Sequence, residues 1–361
     1  MKLISVMASR SVFALILGFC FVNSAYAGPI TVYTSPTIVA GAPPDSPTAR
    51  VDPNIGGTFS GVVSINIRYD GQSYICSGTL VSSRDVVTAG HCLDTNGLGT
   101  LIDLNKPGSD VRVVFNNGGN VTSLITADGV SMNPDYDGFG VCPFASMTEF
   151  CVNDDIAVIH MSQDAPAGAT IYSIYSGAIS EGQLATLVGY GTSGTGVTGY
   201  TVSPSFTIKR SGENRVDLFD LDDEAMFASG PAEVWYADFD GGGQDTFCTY
   251  FAVCTGSLAN NKEASIGGGD SGGPSFYFDG SQYYLMGNNT FSQTFFINGA
   301  GQTPGTFGTA FGGMLINPYI QYLDLATNGA ITVTAVPEPA TLGLVLMGLG
   351  LARARVRRRR V

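Results

Sequence analysis

The chain has 361 residues, 48 of them glycine, with 17 Lys and Arg against 30 Asp and Glu. Two basic residues (Lys2, Arg10) sit at the start and six (Arg353, Arg355, Arg357 to Arg360) in the last nine positions, leaving a body with nine basic against 30 acidic residues, net about −21. Such a body repels nucleic acid and anionic lipid. Frequent Tyr, Phe, Val and Thr with little helical periodicity point to an all-β protein long enough for one large core or two small ones.

Lys2 and Arg10, the apolar run from Val12 to Val22 and Ala25-Tyr26-Ala27 read as a secretory signal peptide over 1–27. The run is too short to span a membrane comfortably. Residues 28–50, rich in Pro, Ser, Thr and Ala, read as a pro-segment or linker. A first β unit is expected over 51–168. Its strands are expected at Val62 to Arg68, ending at Asp70-Gly71, then Tyr74 to Leu80, Val111 to Phe115 and Ile156 to Met161.

Within this unit, Val86-Val87-Thr88-Ala89-Gly90-His91-Cys92 sets an imidazole after small residues at a strand end. Imidazole is the side chain suited to taking and returning a proton near neutral pH. His160, the other histidine, lies in an apolar strand and reads as structural. In Asn153-Asp154-Asp155-Ile156-Ala157-Val158, Asp155 is carried inward by the apolar strand, where a carboxylate that orients imidazole belongs; Asp154 is expected to face solvent. Cys20 belongs to the signal peptide, which leaves Cys76, Cys92, Cys142, Cys151, Cys248 and Cys254. An even number in an exported chain suggests disulfides, their order suggests local bridges, and fifteen connectivities remain open. Two histidines and no Cys-x-x-Cys argue against zinc.

Gln163 to Gly168 marks a seam, and a second β unit is expected over 169–329. Strands are expected at Ala185 to Tyr190, Tyr200 to Ile208, Glu233 to Phe239, Ser275 to Phe278, Tyr283 to Met286 and Phe307 to Phe311. Asp217 to Glu224 (DLFDLDDE) reads as an exposed acidic loop. Asp238, Asp240 and Asp245 on a Gly-rich loop offer carboxylates suited to calcium, but they lack EF-hand spacing, and a solvated loop is expected. Gly269-Asp270-Ser271-Gly272-Gly273-Pro274 is the strongest signal. An attacking serine needs a tight turn with backbone amides aimed at a developing oxyanion, and glycine permits that turn. A helix is expected from Asn317 as cap, with Pro318 in its first turn and Tyr319, Ile320, Leu323 and Leu325 on an apolar side, stopped by Asn328-Gly329.

In the order His, Asp, Ser, these motifs resemble the chymotrypsin-like (trypsin-like) serine peptidases over roughly Val51 to Leu325. Leu187 to Gly191 and Leu285 to Ser292 are similar to that family's early second-barrel strand and to the strand lining its cleft. The resemblance implies two six-stranded antiparallel β-barrels with a C-terminal helix. It also implies a triad of His91, Asp155 and Ser271, an oxyanion hole from Gly269 and Ser271, a Thr290–Asp155 hydrogen bond and a Cys76–Cys92 disulfide. Cys142–Cys151 and Cys248–Cys254 follow from closeness in sequence. Counting back from Ser271 puts the specificity-pocket base at Ser265, with walls from Phe291, Ser292 and the strand near Gly308; Glu263 is the rival for the base. Departures are the long stretch from Cys92 to Asp155, Gly267 in place of a frequent cysteine, and the absence of a clear Ile-Val-Gly-Gly amino terminus to pair with Asp270.

Residues 330–361 hold Val336-Pro337-Glu338-Pro339, an apolar run from Ala340 to Ala352 and terminal arginines. This tail resembles PEP-CTERM sorting signals, which implies a Gram-negative source, transient holding in the inner membrane, an exosortase-type processing partner and a destination at the cell surface or outside. A secreted serine endopeptidase acting on protein or peptide, with no cofactor or metal, is expected. The competing reading is a cell-surface or matrix binding protein on a peptidase scaffold.

Overall fold

The computed structural model describes residues 38–52, 57–117, 119–144, 150–297 and 300–334. The signal peptide, the first part of 28–50, Ile55-Gly56 and the sorting tail lie outside the described residues. The first strands are β1 (Val62–Tyr69), β2 (Gln72–Leu80), β3 (Asp85–Thr88), β4 (Asp110–Asn117), β5 (Asn120–Met132) and β6 (Ala157–Met161). They close into an antiparallel barrel in the order β1-β2-β3-β6-β5-β4. Period-two alternation explains its two surfaces. Val63, Ile65 and Ile67 point into the barrel core with Val86, Val113 and Ile159, whereas Val62, Val87 and Val158 join a cluster shared with the second half. Asp70 (φ 48°) and Gly71 (φ 75°) both take the left-handed conformation in the turn joining β1 to β2.

The second half contributes β7 (Ile174–Tyr175), β8 (Leu184–Gly189), β9 (Ser193–Thr195), β10 (Gly199–Val202), β11 (Arg210–Arg215), β12 (Leu218–Leu221), β13 (Ala232–Phe239), β14 (Pro274–Phe278), β15 (Tyr283–Asn288), β16 (Phe291–Gln293), β17 (Phe296–Ile297), β18 (Ala300–Gly301), β19 (Thr309–Met314) and β20 (Val333–Thr334), with helix α1 (Thr246–Phe251) between β13 and β14. Two sheets, β11-β8-β14-β15-β7-β20 and β12-β13-β19-β16, form this barrel. They meet at a Gly287–Leu315 bridge and at a 2.7 Å hydrogen bond from Asn214 Nδ2 to Asp238 O. Leu187, Trp235, Phe239, Met286 and Phe311 fill it. Their strand neighbours Val188, Val234 and Leu285 face the first barrel in the shared cluster. The all-β architecture, the closed six-stranded first barrel and the short C-terminal helix α2 (Ile320–Ala326) are those expected, whereas the second half pairs as sheets of six and four strands, with β7 parallel to β15 and β20.

Several local expectations are corrected. The strand expected to reach Ile208 ends at Val202. Residues 217–224 are not an exposed loop: they include β12, and Asp217 and Asp223 are buried. Asn317 does not cap; it opens a 3-10 turn, Asn317–Tyr319, ahead of α2. Tyr319 and Leu323 are buried as expected, but Leu325 faces solvent. All three disulfides, Cys76–Cys92, Cys142–Cys151 and Cys248–Cys254, are formed. Residues 38–52 lie along the second barrel, with Val39 N donating to Ser265 O and Asp52 N to Lys209 O. A buried Arg50–Asp45 pair at 2.6 Å holds that segment in place.

Candidate active site

Each of the three motifs ends where the barrels meet. His91 lies in the 3-10 turn that follows β3. Asp155, fully buried just before β6, grips it at two points. One carboxylate oxygen accepts from the His91 backbone N at 2.6 Å, and the other lies 2.7 Å from Nδ1. This fixes the ring's direction and leaves Nε2 as its second polar atom, buried and without a hydrogen-bond partner. Asn288 Nδ2 donates to Asp155 O at 3.0 Å and so anchors the backbone of this residue from the second barrel.

Ser271, also buried, sits on the turn between Gly269 and Pro274. Its carbonyl accepts from Ser77 N at 2.8 Å and lies 3.7 Å from Cys92 Sγ, beside His91. Gly272 makes that approach possible. A Cβ there would sit 2.1 Å from Thr88 Oγ1 and 2.5 Å from Ala89 N, the strand end leading into His91. Gly272 N donates to Asn289 O and Asn289 N to Gly273 O, which ties the turn to the end of β15. Gly269 has φ 108°, and Ser77 Oγ donates to its carbonyl at 2.7 Å. No described group accepts from the amides of Gly269 or Ser271.

The neighbouring Asp270 is wholly buried. One oxygen accepts from Gly191 N at 2.9 Å, and it lies so close to Gly189 that a Cβ there would be 1.9 Å away. Arg210 pairs directly across from Gly189 on β11. Burial pushes the Asp270 carboxyl up to about 7, while the Gly191 amide and the Arg210 guanidinium pull the other way. Burial lowers Arg210 from its ordinary value and Asp270 opposes that. Arg210 Nη1 and Asp270 Oδ2 are both buried without a hydrogen-bond partner. Arg210 was not singled out from sequence; its one signal is a basic residue within a strand next to the Leu187 to Gly191 motif.

The pocket residues are less simply arranged. Ser265 is buried under Val39. Glu263 is turned aside, one oxygen accepting from Leu258 N at 2.6 Å. Thr290 does not bond the Asp155 carboxylate as expected: its hydroxyl donates to Asn288 Oδ1 at 3.1 Å, and Asn288 in turn reaches the Asp155 carbonyl. Thr290 has no exposed surface, whereas Phe291 and Ser292 pair with β19 and Gly308 (φ 87°) precedes that strand. Sequence reasoning missed Tyr200, whose hydroxyl donates to Ile266 O at 3.1 Å and lies 3.4 Å from Ser292 Oγ. It therefore links the residue after the expected pocket base to the expected wall. Phe139 was missed as well; its ring stacks edge-on at 5.2 Å from the His91 ring, and Phe150 backs it at 5.5 Å. Phe139 thus stands beside the imidazole, with Phe150, next to Cys151, behind it.

Asp154 does not face solvent. It is 4 % exposed with φ 63°, and its backbone N donates to the Tyr319 hydroxyl oxygen at 3.1 Å. The carboxylates of Asp238, Asp240 and Asp245 do approach one another within 4.8 Å. They are engaged at the start of α1, however, by the amides of Phe247, Thr246 and Cys248.

Two barrels with a histidine–carboxylate pair and a glycine-bounded serine turn at their junction define the chymotrypsin-like fold. Residues 53–215 match the trypsin family and residues 335–360 the PEP-CTERM protein-sorting motif. A solved collagenase structure is 17% identical, with a TM-score of 0.43, covering 83% of this chain and 99% of its own. No curated protein matches the sequence. The chain is thus similar to the trypsin family over residues 53–215 and carries a PEP-CTERM motif in its tail. The matched trypsin residues include His91 and Asp155 and end before Ser271. The tail motif implies export, sorting at the membrane in Gram-negative bacteria and recognition by exosortase. Among the described residues no helix is long and apolar enough to cross a membrane.

Proposed function

We propose that the protein is a serine endopeptidase in which Ser271 attacks the scissile carbonyl while His91 Nε2 takes the hydroxyl proton. The bond from Ser271 Oγ to the carbonyl carbon forms as the carbonyl π electrons move onto oxygen. The amides of Gly269 and Ser271 receive that oxyanion. His91 then returns its proton to the leaving amine, giving an acyl-enzyme that water hydrolyses by the same steps. Asp155 keeps the ring in one tautomer and stabilises the imidazolium. The observation that carries this reading is the two-point grip of Asp155 on His91 beside a serine turn with unengaged amides. Labelling of the processed protein by a fluorophosphonate probe at neutral pH, lost in Ser271→Ala, is the expected result. Absence of labelling in the unaltered protein favours the matrix-binding alternative.

Specificity follows from charge and space. Ser265 offers no carboxylate at the pocket base, and Glu263 is held elsewhere. An Arg or Lys side chain entering would therefore leave an unpaired buried charge. The Tyr200 hydroxyl bridges Ile266 O and Ser292 Oγ. Among matched peptides ending in Leu, Phe or Arg before the scissile bond, kcat/KM for Arg should be at least ~100-fold below that for Leu. A preference for Arg would reject this pocket.

Truncation after Thr334 removes the whole sorting motif and lies beyond α2. It should release active enzyme from the envelope into the medium. Cell fractionation checks this, and unchanged envelope retention would refute the sorting role.

A further inference from the structure

Four carboxylates from separate parts of the chain converge where the two halves meet. Asp154 comes from the turn before β6, Asp223 and Glu224 from the segment between β12 and β13, and Glu233 from the start of β13. One oxygen from each lies within 4.8 Å of the others. Asp154, Asp223 and Glu233 are 4%, 3% and 6% exposed, and Glu224 alone reaches solvent.

Asparagine side chains direct two of them. Asn133 Nδ2 donates to Asp154 at 2.8 Å and Asn153 Nδ2 to Glu233 at 2.8 Å. Asp223 Oδ1 is different: it is buried and accepts no hydrogen bond. No Lys, Arg or His among the described residues forms an ion pair with any of the four. Like charges crowded out of water repel strongly unless protons or a cation neutralise them. Burial, reinforced by neighbouring carboxylates, pushes Asp154, Asp223 and Glu233 above the usual carboxylate range.

We propose that Asp154, Asp223, Glu224 and Glu233 form a site for a hard divalent cation, calcium, that joins the turn carrying Asp155 to the β12–β13 hairpin. The donor set is oxygen only, and its acidic ligands come from a turn, an irregular segment and a strand start, with one member open to solvent. That suits calcium, which accepts irregular geometry and bidentate carboxylates, better than magnesium, which demands a near-ideal octahedron and keeps its water. The unpartnered Asp223 oxygen is the observation that separates this cluster from Asp238, Asp240 and Asp245, whose carboxylates are held by amides of α1. The inference does not depend on the peptidase reading, because the ion would bind whether or not Ser271 reacts.

The test uses exported Ser271→Ala protein stripped with chelator, which avoids self-cleavage. Millimolar calcium should raise its unfolding temperature by about 5 °C. Terbium should give luminescence excited through Tyr319, whose hydroxyl lies 3.1 Å from Asp154 N, and calcium should quench it by displacement. Asp223→Asn with Glu233→Gln should abolish both signals, while Asp240→Asn leaves them. Should the double variant fail to fold, exposed Glu224→Gln should weaken calcium binding roughly tenfold. The proposal is overturned if calcium gives neither effect, if the effects survive at full strength in those variants, or if magnesium acts and calcium does not.

Discussion

Ser271→Ala is expected to lower peptide hydrolysis by about four to six orders of magnitude while leaving the unfolding temperature unchanged. The hydroxyl makes no hydrogen bond that holds the fold; it is the Ser271 carbonyl that Ser77 N grips. His91→Ala should cost about as much, and the double variant little more than either, because nucleophile and base act as one unit. Asp155→Asn should be less complete in its loss, since Asn can still accept from the His91 backbone N but stabilises the wrong ring tautomer. Single-turnover assays with a peptide ester check the series. Ser271→Ala retaining most of its activity would remove the assignment altogether.

Arg210→Met should produce the next largest loss. Asp270 lies between the two residues whose amides are proposed to hold the oxyanion, and the buried cation acting on it is Arg210. Without that charge, Asp270 either ionises alone in the interior or stays protonated, and the turn loses the pull that orients it. Arg210 acts on Asp270 through its field rather than in direct ion-pair contact, so losing it should cost about 1–3 kcal/mol and lower unfolding by roughly 5 °C. We expect kcat to drop about 100-fold with KM little changed, as for an interaction realised in the transition state, and Arg210→Lys to recover most of it.

The pH dependence has a definite sign. The Asp270 carboxyl is raised from its ordinary 3.8 to about 7 in the fold. Its contribution to stability is therefore full below about pH 4 and declines as pH rises through about 7. Arg210 limits that decline, so the gap between Arg210→Met and the unaltered protein should widen from pH 5 to pH 8. Equal activity and equal melting across this range would show that Arg210 has no such role.

Arg210 also bears on activation. Family resemblance directs attention to an amino terminus freed by cleavage, yet neither Arg50-Val51 nor Ile55-Gly56-Gly57 resembles the usual signal. In the structure residues 38–52 are already laid along the second barrel, and Arg210 Nε donates to Pro47 O at 3.1 Å. The same guanidinium thus ties that segment to the surroundings of Asp270.

What the sequence by itself determined were the features that depend on local chemistry. Alternating apolar residues place β1, β2, β8, β13 and β15, and Asp70-Gly71 and Asn328-Gly329 stop elements because few other residues accept left-handed backbone. Glycines around Ser271 and the small residues before His91 mark positions where backbone must approach backbone, and this is legible as a motif. Strand β5, at 13 residues, was missed because Thr, Ser, Asp and Gly interrupt its pattern and only neighbouring strands complete its hydrogen bonds. The sequence could not tell buried from exposed acid. Asp154, Asp217 and Asp223 read as solvated, since charge favours water unless distant groups receive it. Those groups (Asn133 for Asp154, the Asp238 amide and Thr255 for Asp217) are distant in sequence and are brought close only as each half folds. The same reason hid Tyr200, Arg210 and the Thr290–Asn288–Asp155 relay. Each acts across strands far apart in the chain, and register between strands is decided by the packed core rather than by any local run of residues.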